Sequence, residues 1–226
     1  MKRLLFRILG SNRSVEGYRR LPRPLSADTD PAIIALEKRG AAIWRNEQGE
    51  VFLVDFKGIN ATDAELSCLK DMTRLETIDL SETMIRDAGL TQLKCLTNLK
   101  AINLQGTGVS SVGLVHLKDL TSFECVLLND TAIMDHGLAH LNGLNNLQDL
   151  GFNRTSITGT GLVHLKEMTE LSHLDLTFCQ DLTDRGLLNL KRLSSLQYVD
   201  LQGCNNLTDS GVTELQKALP NCNINR

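Results

Sequence analysis

LETIDLSETMIRDAGLTQLKCLTN, residues 75–98, is followed without a gap by LKAINLQGTGVSSVGLVHLKDLTS (99–122), FECVLLNDTAIMDHGLAHLNGLNN (123–146) and LQDLGFNRTSITGTGLVHLKEMTE (147–170). The four segments align position by position at a step of 24 residues. The frame extends upstream to VFLVDFKGINATDAELSCLKDMTR from Val51, and downstream to a 25-residue unit from Leu171 and a 26-residue unit from Leu196. Seven units therefore cover residues 51–221. A period of about 20 to 29 residues with an LxxLxL opening is the mark of a solenoid, in which each unit buries its apolar face against its neighbours.

Each unit changes period halfway. Apolar residues at positions 4 and 6 of the frame, Ile78 and Leu80 for example, alternate with polar ones at 3, 5 and 7, the pattern of a short strand with one buried face. Positions 16, 19 and 22 (Leu90, Leu93, Leu96) then recur every third residue, a helical stripe. Before it stand Thr183-Asp184-Arg185-Gly186 and Thr208-Asp209-Ser210-Gly211, where the Thr or Asp side chain is placed to cap a helix start. The unit reads strand, turn, short helix.

The frame explains the composition. Leucines number 41 in 226 residues while aromatics are 4%, with Trp44 the single tryptophan, as expected of one small unit repeated and not of an irregular core. Formal net charge is −3. No run of about 20 apolar residues is present, so the sequence offers no transmembrane helix, and MKRLLFRIL is too short and too interrupted by Arg7 for a secretory signal. Residues 1–30 carry seven basic side chains against Glu16, Asp28 and Asp30, a net +4 that leaves −7 for the rest. Residues 1–29 read as a basic, disordered leader; a peripheral membrane contact or organelle targeting through residues 1–25 stands as the alternative to a cytoplasmic location. Asp30 and Pro31 open a helix over 32–38 that Gly40 ends, and a strand over 41–45 turns into the first repeat, so residues 30–50 make an N-terminal cap. Residues 222–226 begin a partial terminal strand.

On these residues the chain resembles leucine-rich-repeat proteins over about three-quarters of its length. The units carrying Cys179-Gln180-Asp181-Leu182-Thr183-Asp184 and Cys204-Asn205-Asn206-Leu207-Thr208-Asp209 look like the cysteine-containing subtype. Those with Thr83, Thr107, Thr131 and Thr155 in that place look like the 24-residue bacterial variant. The resemblance implies an α/β horseshoe solenoid with a parallel concave sheet and short convex helices, employed in binding another protein.

Chemistry beyond the repeat is sparse. The six cysteines follow the repeat and include no CxxC, so structural thiols are expected rather than a disulfide framework or zinc site. His116, His140 and His164 share position 18 and read as half-buried packing residues, and His136 stands alone. The sequons at Asn129 and Asn153, and the Gly106-Thr107-Gly108 turn, are products of the repeat. No nucleophile, base and oxyanion set can be assembled, so neither an enzyme nor a cofactor is expected.

What remains is the concave face, positions 3, 5, 7 and 8. It carries Asp55, Asp79, Glu82, Asp130, Asp149, Asp175 and Asp200 against Lys57 and Arg154, a net −5 that disfavours nucleic acid. Aromatic anchors beside charge mark interface hot spots. The candidate partner-binding set is therefore Asp130, Asp149, Arg154, His173, Asp175, Phe178, Tyr198 and Asp200, with a protein of basic surface as the expected partner. Two alternatives stay open at this point: the substrate-recognition arm of a ubiquitin-ligase assembly, though residues 1–50 do not look like an F-box, and an assembly factor tethered by the leader.

Overall fold

The computed structural model describes residues 30–226; the expectations for the leader lie outside them. Helix α1 (Pro31–Lys38) starts where Asp30 accepts the Ala32 N–H at 2.9 Å, with Pro31 in the first helical position. Its chain returns as β1 (Ala42–Arg45), which pairs antiparallel with β2 (Val51–Asp55). Seven further strands stack parallel in chain order: β3 (Thr77–Asp79), β4 (Ala101–Asn103), β5 (Cys125–Leu127), β6 (Asp149–Gly151), β7 (His173–Asp175), β8 (Tyr198–Asp200) and β9 (Asn223–Asn225). The register is that of the repeat, Ile78 facing Ile102, Ile102 facing Val126, and so on to Val199. The sheet runs from the β1 edge at the cap to β9, which closes the other edge.

Position 4 and position 6 side chains point into one continuous core that also takes in the convex stripe. The convex segments are short helices, as expected, but of a tighter kind than the α-helix. Most are 3₁₀ turns, as at Glu65–Leu69, Gly113–His116, Asp135–Leu141 and Thr160–Leu165. Among the described residues, single convex α-turns occur in α2 (Asp87–Leu90) and α3 (Asp184–Leu187), and a longer convex helix in α4 (Asp209–Ala218). A three-residue apolar spacing matches the three residues per turn of a 3₁₀ segment better than the 3.6 of an α-helix, and 24 residues leave room for no more. The two extra residues of the last unit admit a full helix, which covers the end of the stack.

Side chains fasten each unit to the next. At position 9 the Thr83, Thr107 and Thr155 hydroxyls donate to the position-6 carbonyl of their own unit at 2.6, 2.7 and 2.6 Å. The thiols of Cys179 and Cys204 donate instead to the carbonyls of Phe152 and Leu176 in the preceding unit, at 3.1 and 3.0 Å. Burial pushes the Cys204 thiol up to about 12 and raises that of Cys179, as suits donors sealed in a turn.

A second ladder runs along the convex turns. Asp63, Asp87, Asp135 and Asp184 each accept the N–H of a residue in the following unit: Arg86, Ser110, Thr158 and Thr208. Thr183 and Thr208 cap their own helices through Gly186 and Gly211, as the sequence implies, whereas Asp184 works between units. Asp135 has the fullest set, accepting from Thr158 N and Oγ1, Gly159 N and Gly161 N. Burial acts to raise its pKa, but these hydrogen bonds outweigh burial and hold it below the ordinary carboxylate value. A depressed folded-state pKa contributes stability that is present above the unfolded value of about 4 and lost as pH falls through the folded one. Asp135→Asn should therefore flatten the acid limb of a melting-temperature profile below about pH 5; a profile parallel to wild type would show that the carboxylate charge is not what holds this joint.

Candidate functional site

The alternation that buries positions 4 and 6 leaves 3 and 5 on the opposite side, so the parallel register lines up Asp149, His173 and Tyr198, and beside them Gly151, Asp175 and Asp200. These six border an open hollow of about 160 Å³ across β6–β8. Its depth comes from Gly151, which has no side chain to fill the middle of the ladder. A Cβ there would sit 2.7 Å from Asn129 Oδ1, an oxygen already bound to the Asn153 N–H at 2.8 Å.

The walls are held by hydrogen bonds. Tyr198 donates its hydroxyl to Asp200 Oδ2 at 2.9 Å, and the Asn225 amide of β9 reaches the same hydroxyl and both Asp200 oxygens at 3.2 Å. Asp175 accepts the Thr177 N–H at 2.9 Å and its hydroxyl at 2.6 Å. His173 Nδ1 lies 2.9 Å from Ser172 Oγ and 3.5 Å from Asp149 Oδ1, with its ring 6.4 Å from that of Tyr198. Three carboxylates and one imidazole around an aromatic ring suit a cationic, partly apolar group.

Position 5 has a structural duty as well. Asp55, Asp79, Asn103, Asp175 and Asp200 each accept the N–H two residues on, closing the turn that ends the strand. Part of the acidity of the concave face is therefore strand-end capping.

The other three candidates, Asp130, Arg154 and Phe178, stand apart from the hollow in the position-8 column. Every member of that column is left-handed: Gly58, Gly106 and Gly203, but also Glu82, Asp130, Arg154 and Phe178 with φ of 53 to 58°. Glycine takes this conformation freely, and a bulky residue does not. The Phe178 ring is 44% exposed, packs against Gly203, and carries the Arg154 guanidinium 5.1 Å from its centroid. Arg154 in turn reaches Asp130 at 3.8 Å. An exposed aromatic ring held in a strained turn is a feature that packing alone does not call for. Phe178→Gly should relieve about 1 kcal/mol of left-handed strain, leaving the melting temperature equal or higher. A lower value would show that Phe178 is needed for packing.

Of the eight predicted residues, the structure brings five together at the hollow and three into a line beside it. Leu127 and Gly151 also line the hollow and were missed, because selection by charge and ring passes over them. On the convex side His116, His140 and His164 are half-buried, as expected, with burial lowering the pKa of His116. Among the described residues no group of His, Cys, Asp and Glu is placed to hold a metal ion, and no helix is long and apolar enough to cross a membrane.

A family model described as Leucine Rich repeat matches residues 168–191 and 192–215. The crystal structure of internalin C2 from Listeria monocytogenes str. 4b F2365 is similar over 86% of this chain and 92% of that one, at 18% identity and a TM-score of 0.57. A second internalin of that organism, inlF, covers 71% of this chain and 56% of its own at 17% identity, with a TM-score of 0.43. No curated protein matches the sequence. At these identities the likeness to internalin C2 is one of fold.

Proposed function

We propose that this leucine-rich-repeat protein is a non-catalytic recognition module that binds another protein through the β6–β8 part of its concave sheet. The observation that carries the reading is the juxtaposition of Tyr198, His173, Asp149, Asp175 and Asp200 around one hollow, with exposed Phe178 and Arg154 beside it. An amphipathic ring next to charge is the composition of an anchor pocket, and the carboxylates favour a basic partner side chain, lysine or arginine, as the guest. The Tyr198 ring is already fixed by Asp200 and Asn225, so little side-chain entropy remains to be lost on binding.

The test is titration of an identified co-purifying protein against wild type, Tyr198→Ala, and His140→Ala on the convex side. Tyr198→Ala should weaken binding by about 2 kcal/mol, roughly thirtyfold, and His140→Ala should leave it unchanged. Loss of binding in His140→Ala with retention in Tyr198→Ala would move the site to the histidine column and end this reading.

A further inference from the structure

The hollow across β6–β8 is acidic, yet the one lysine or arginine at the concave positions of these three units, Arg154, stands beside it. Arg154 follows the Gly151 floor by three residues, a backbone span of at most about 11 Å. A guest whose cation enters the hollow therefore brings its neighbouring groups within reach of the guanidinium.

The fold does not call for the Arg154 and Phe178 side chains. Both residues are left-handed, with φ of 54 and 56°, in a column where Gly58, Gly106 and Gly203 take the same conformation freely. Their backbones are nevertheless fixed: the Arg154 N–H donates to the Thr177 carbonyl at 2.9 Å and the Phe178 N–H to the Gln202 carbonyl at 2.7 Å. Two exposed side chains held in a costly conformation, one against the other, point to a duty outside the stack.

What the pair presents is a set of unused donors. Arg154 Nη1 lies 3.8 Å from Asp130 Oδ1, too far for a hydrogen bond, and both groups are partly exposed, so the ion pair contributes little. The Phe178 ring lies against the guanidinium face, 5.1 Å from its own centroid to the central carbon, and a face contact leaves the in-plane N–H groups open. Among the described residues no acceptor takes a hydrogen bond from this guanidinium. Its Nε and Nη2 edge thus offers two parallel donors, the fork that a carboxylate matches.

We propose that Arg154, steadied by Phe178, is a specificity-determining residue that accepts a carboxylate of the partner, next to the cation taken by the hollow. The partner then presents a basic and an acidic side chain on the order of 10 Å apart, which is about three residues in an extended segment. A uniformly basic surface is disfavoured, because Arg154 repels it. The inference rests on the reading of the hollow as a cation pocket and adds the second charge to it.

The probe is a library of random 12-residue peptides displayed on phage, selected in parallel on the full-length protein and on Arg154→Gln. Wild type should enrich Lys or Arg together with Asp or Glu at a fixed offset, whereas Arg154→Gln should keep the base and lose the acid. One enriched peptide, synthesised with blocked ends, is then titrated in its acid form and with that acid replaced by the matching amide. The replacement should weaken binding to wild type about fivefold, the upper range for an exposed ion pair, and leave binding to Arg154→Gln unchanged. Asp130→Asn, which removes the competing carboxylate, should tighten the acid form and not the amide form, a gain that a merely structural arginine would not give. An acid-to-amide cost of equal size in wild type and Arg154→Gln overturns the proposal. So does selection of basic residues with no acid, which leaves the reading of the hollow standing. Selection of an Arg154-dependent acid with no base ends the reading of the hollow instead and supports the carboxylate site, and a library that enriches neither charge overturns both.

Discussion

Leu128→Ala should lower the free energy of unfolding by roughly 2 to 5 kcal/mol, the range for a fully buried leucine truncated in a core that cannot collapse. Leu128 occupies position 6 of the central unit, fully buried, with Leu104 and Phe152 at the same position in the units on either side. Its backbone N–H is fixed to the Gly151 carbonyl at 2.9 Å and its carbonyl accepts the Thr131 hydroxyl, so the main chain has little freedom to close the cavity. The control is Leu188→Ala: that side chain is 44% exposed on the convex surface, and its loss should cost within about 0.5 kcal/mol. Because stability in a stacked array is a sum of unit and neighbour terms, the central substitution weakens two interfaces at once. Denaturant titration with an unchanged slope for both variants would check it; equal midpoints would mean the register is wrong.

The register was legible because leucine spacing is an energetic signal: positions 4 and 6 can be buried only in one frame, and shifting it by one residue would turn every core side chain outward. The same frame placed Asp149, His173, Asp175, Tyr198 and Asp200 together, since column membership follows from register alone. The N-terminal cap was readable from Asp30, Pro31 and Gly40, each doing at the α1 ends what its backbone chemistry favours.

Other features were hidden for identifiable reasons. An Asp before a helical stripe has two ways to satisfy donors, its own helix or the next unit's turn. Asp87 and Asp184 choose the second, through partners 23 and 24 residues away. The left-handed column was signalled by Gly58, Gly106 and Gly203, but Arg154 and Phe178 carry no intrinsic preference for that conformation and masked it.

Gly159→Ala should be among the most damaging single-methyl additions in the chain, at roughly 2 to 5 kcal/mol, because a conformational cost of about 1 to 2 kcal/mol and an overpacking cost of about 1 to 3 kcal/mol coincide there. Gly159 is left-handed, with φ of 99°, where a Cβ meets its own backbone. The added carbon would also fall 2.4 Å from the Cα of Gly186, a backbone atom that cannot swing aside as a side chain would. The reason for this closeness is in the ladder. Position 13 is Asp or Ser in the four preceding units, each reaching forward to a following N–H, but at Gly159 there is no side chain to reach with. The Thr183 N–H goes instead to the Thr158 carbonyl at 3.2 Å, and the two backbones close on each other through the glycine pair. Gly143→Ala separates the two terms, since Gly143 has φ of 101° but nothing within 4 Å of where the added methyl carbon would sit, and only the conformational cost of about 1 to 2 kcal/mol should appear. If the two variants melt together, the backbone approach at Gly159 is looser than the structure has it, and the joint between the fifth and sixth repeats is a point of give in the solenoid; a clear excess for Gly159→Ala makes that joint as stiff as those built on aspartate.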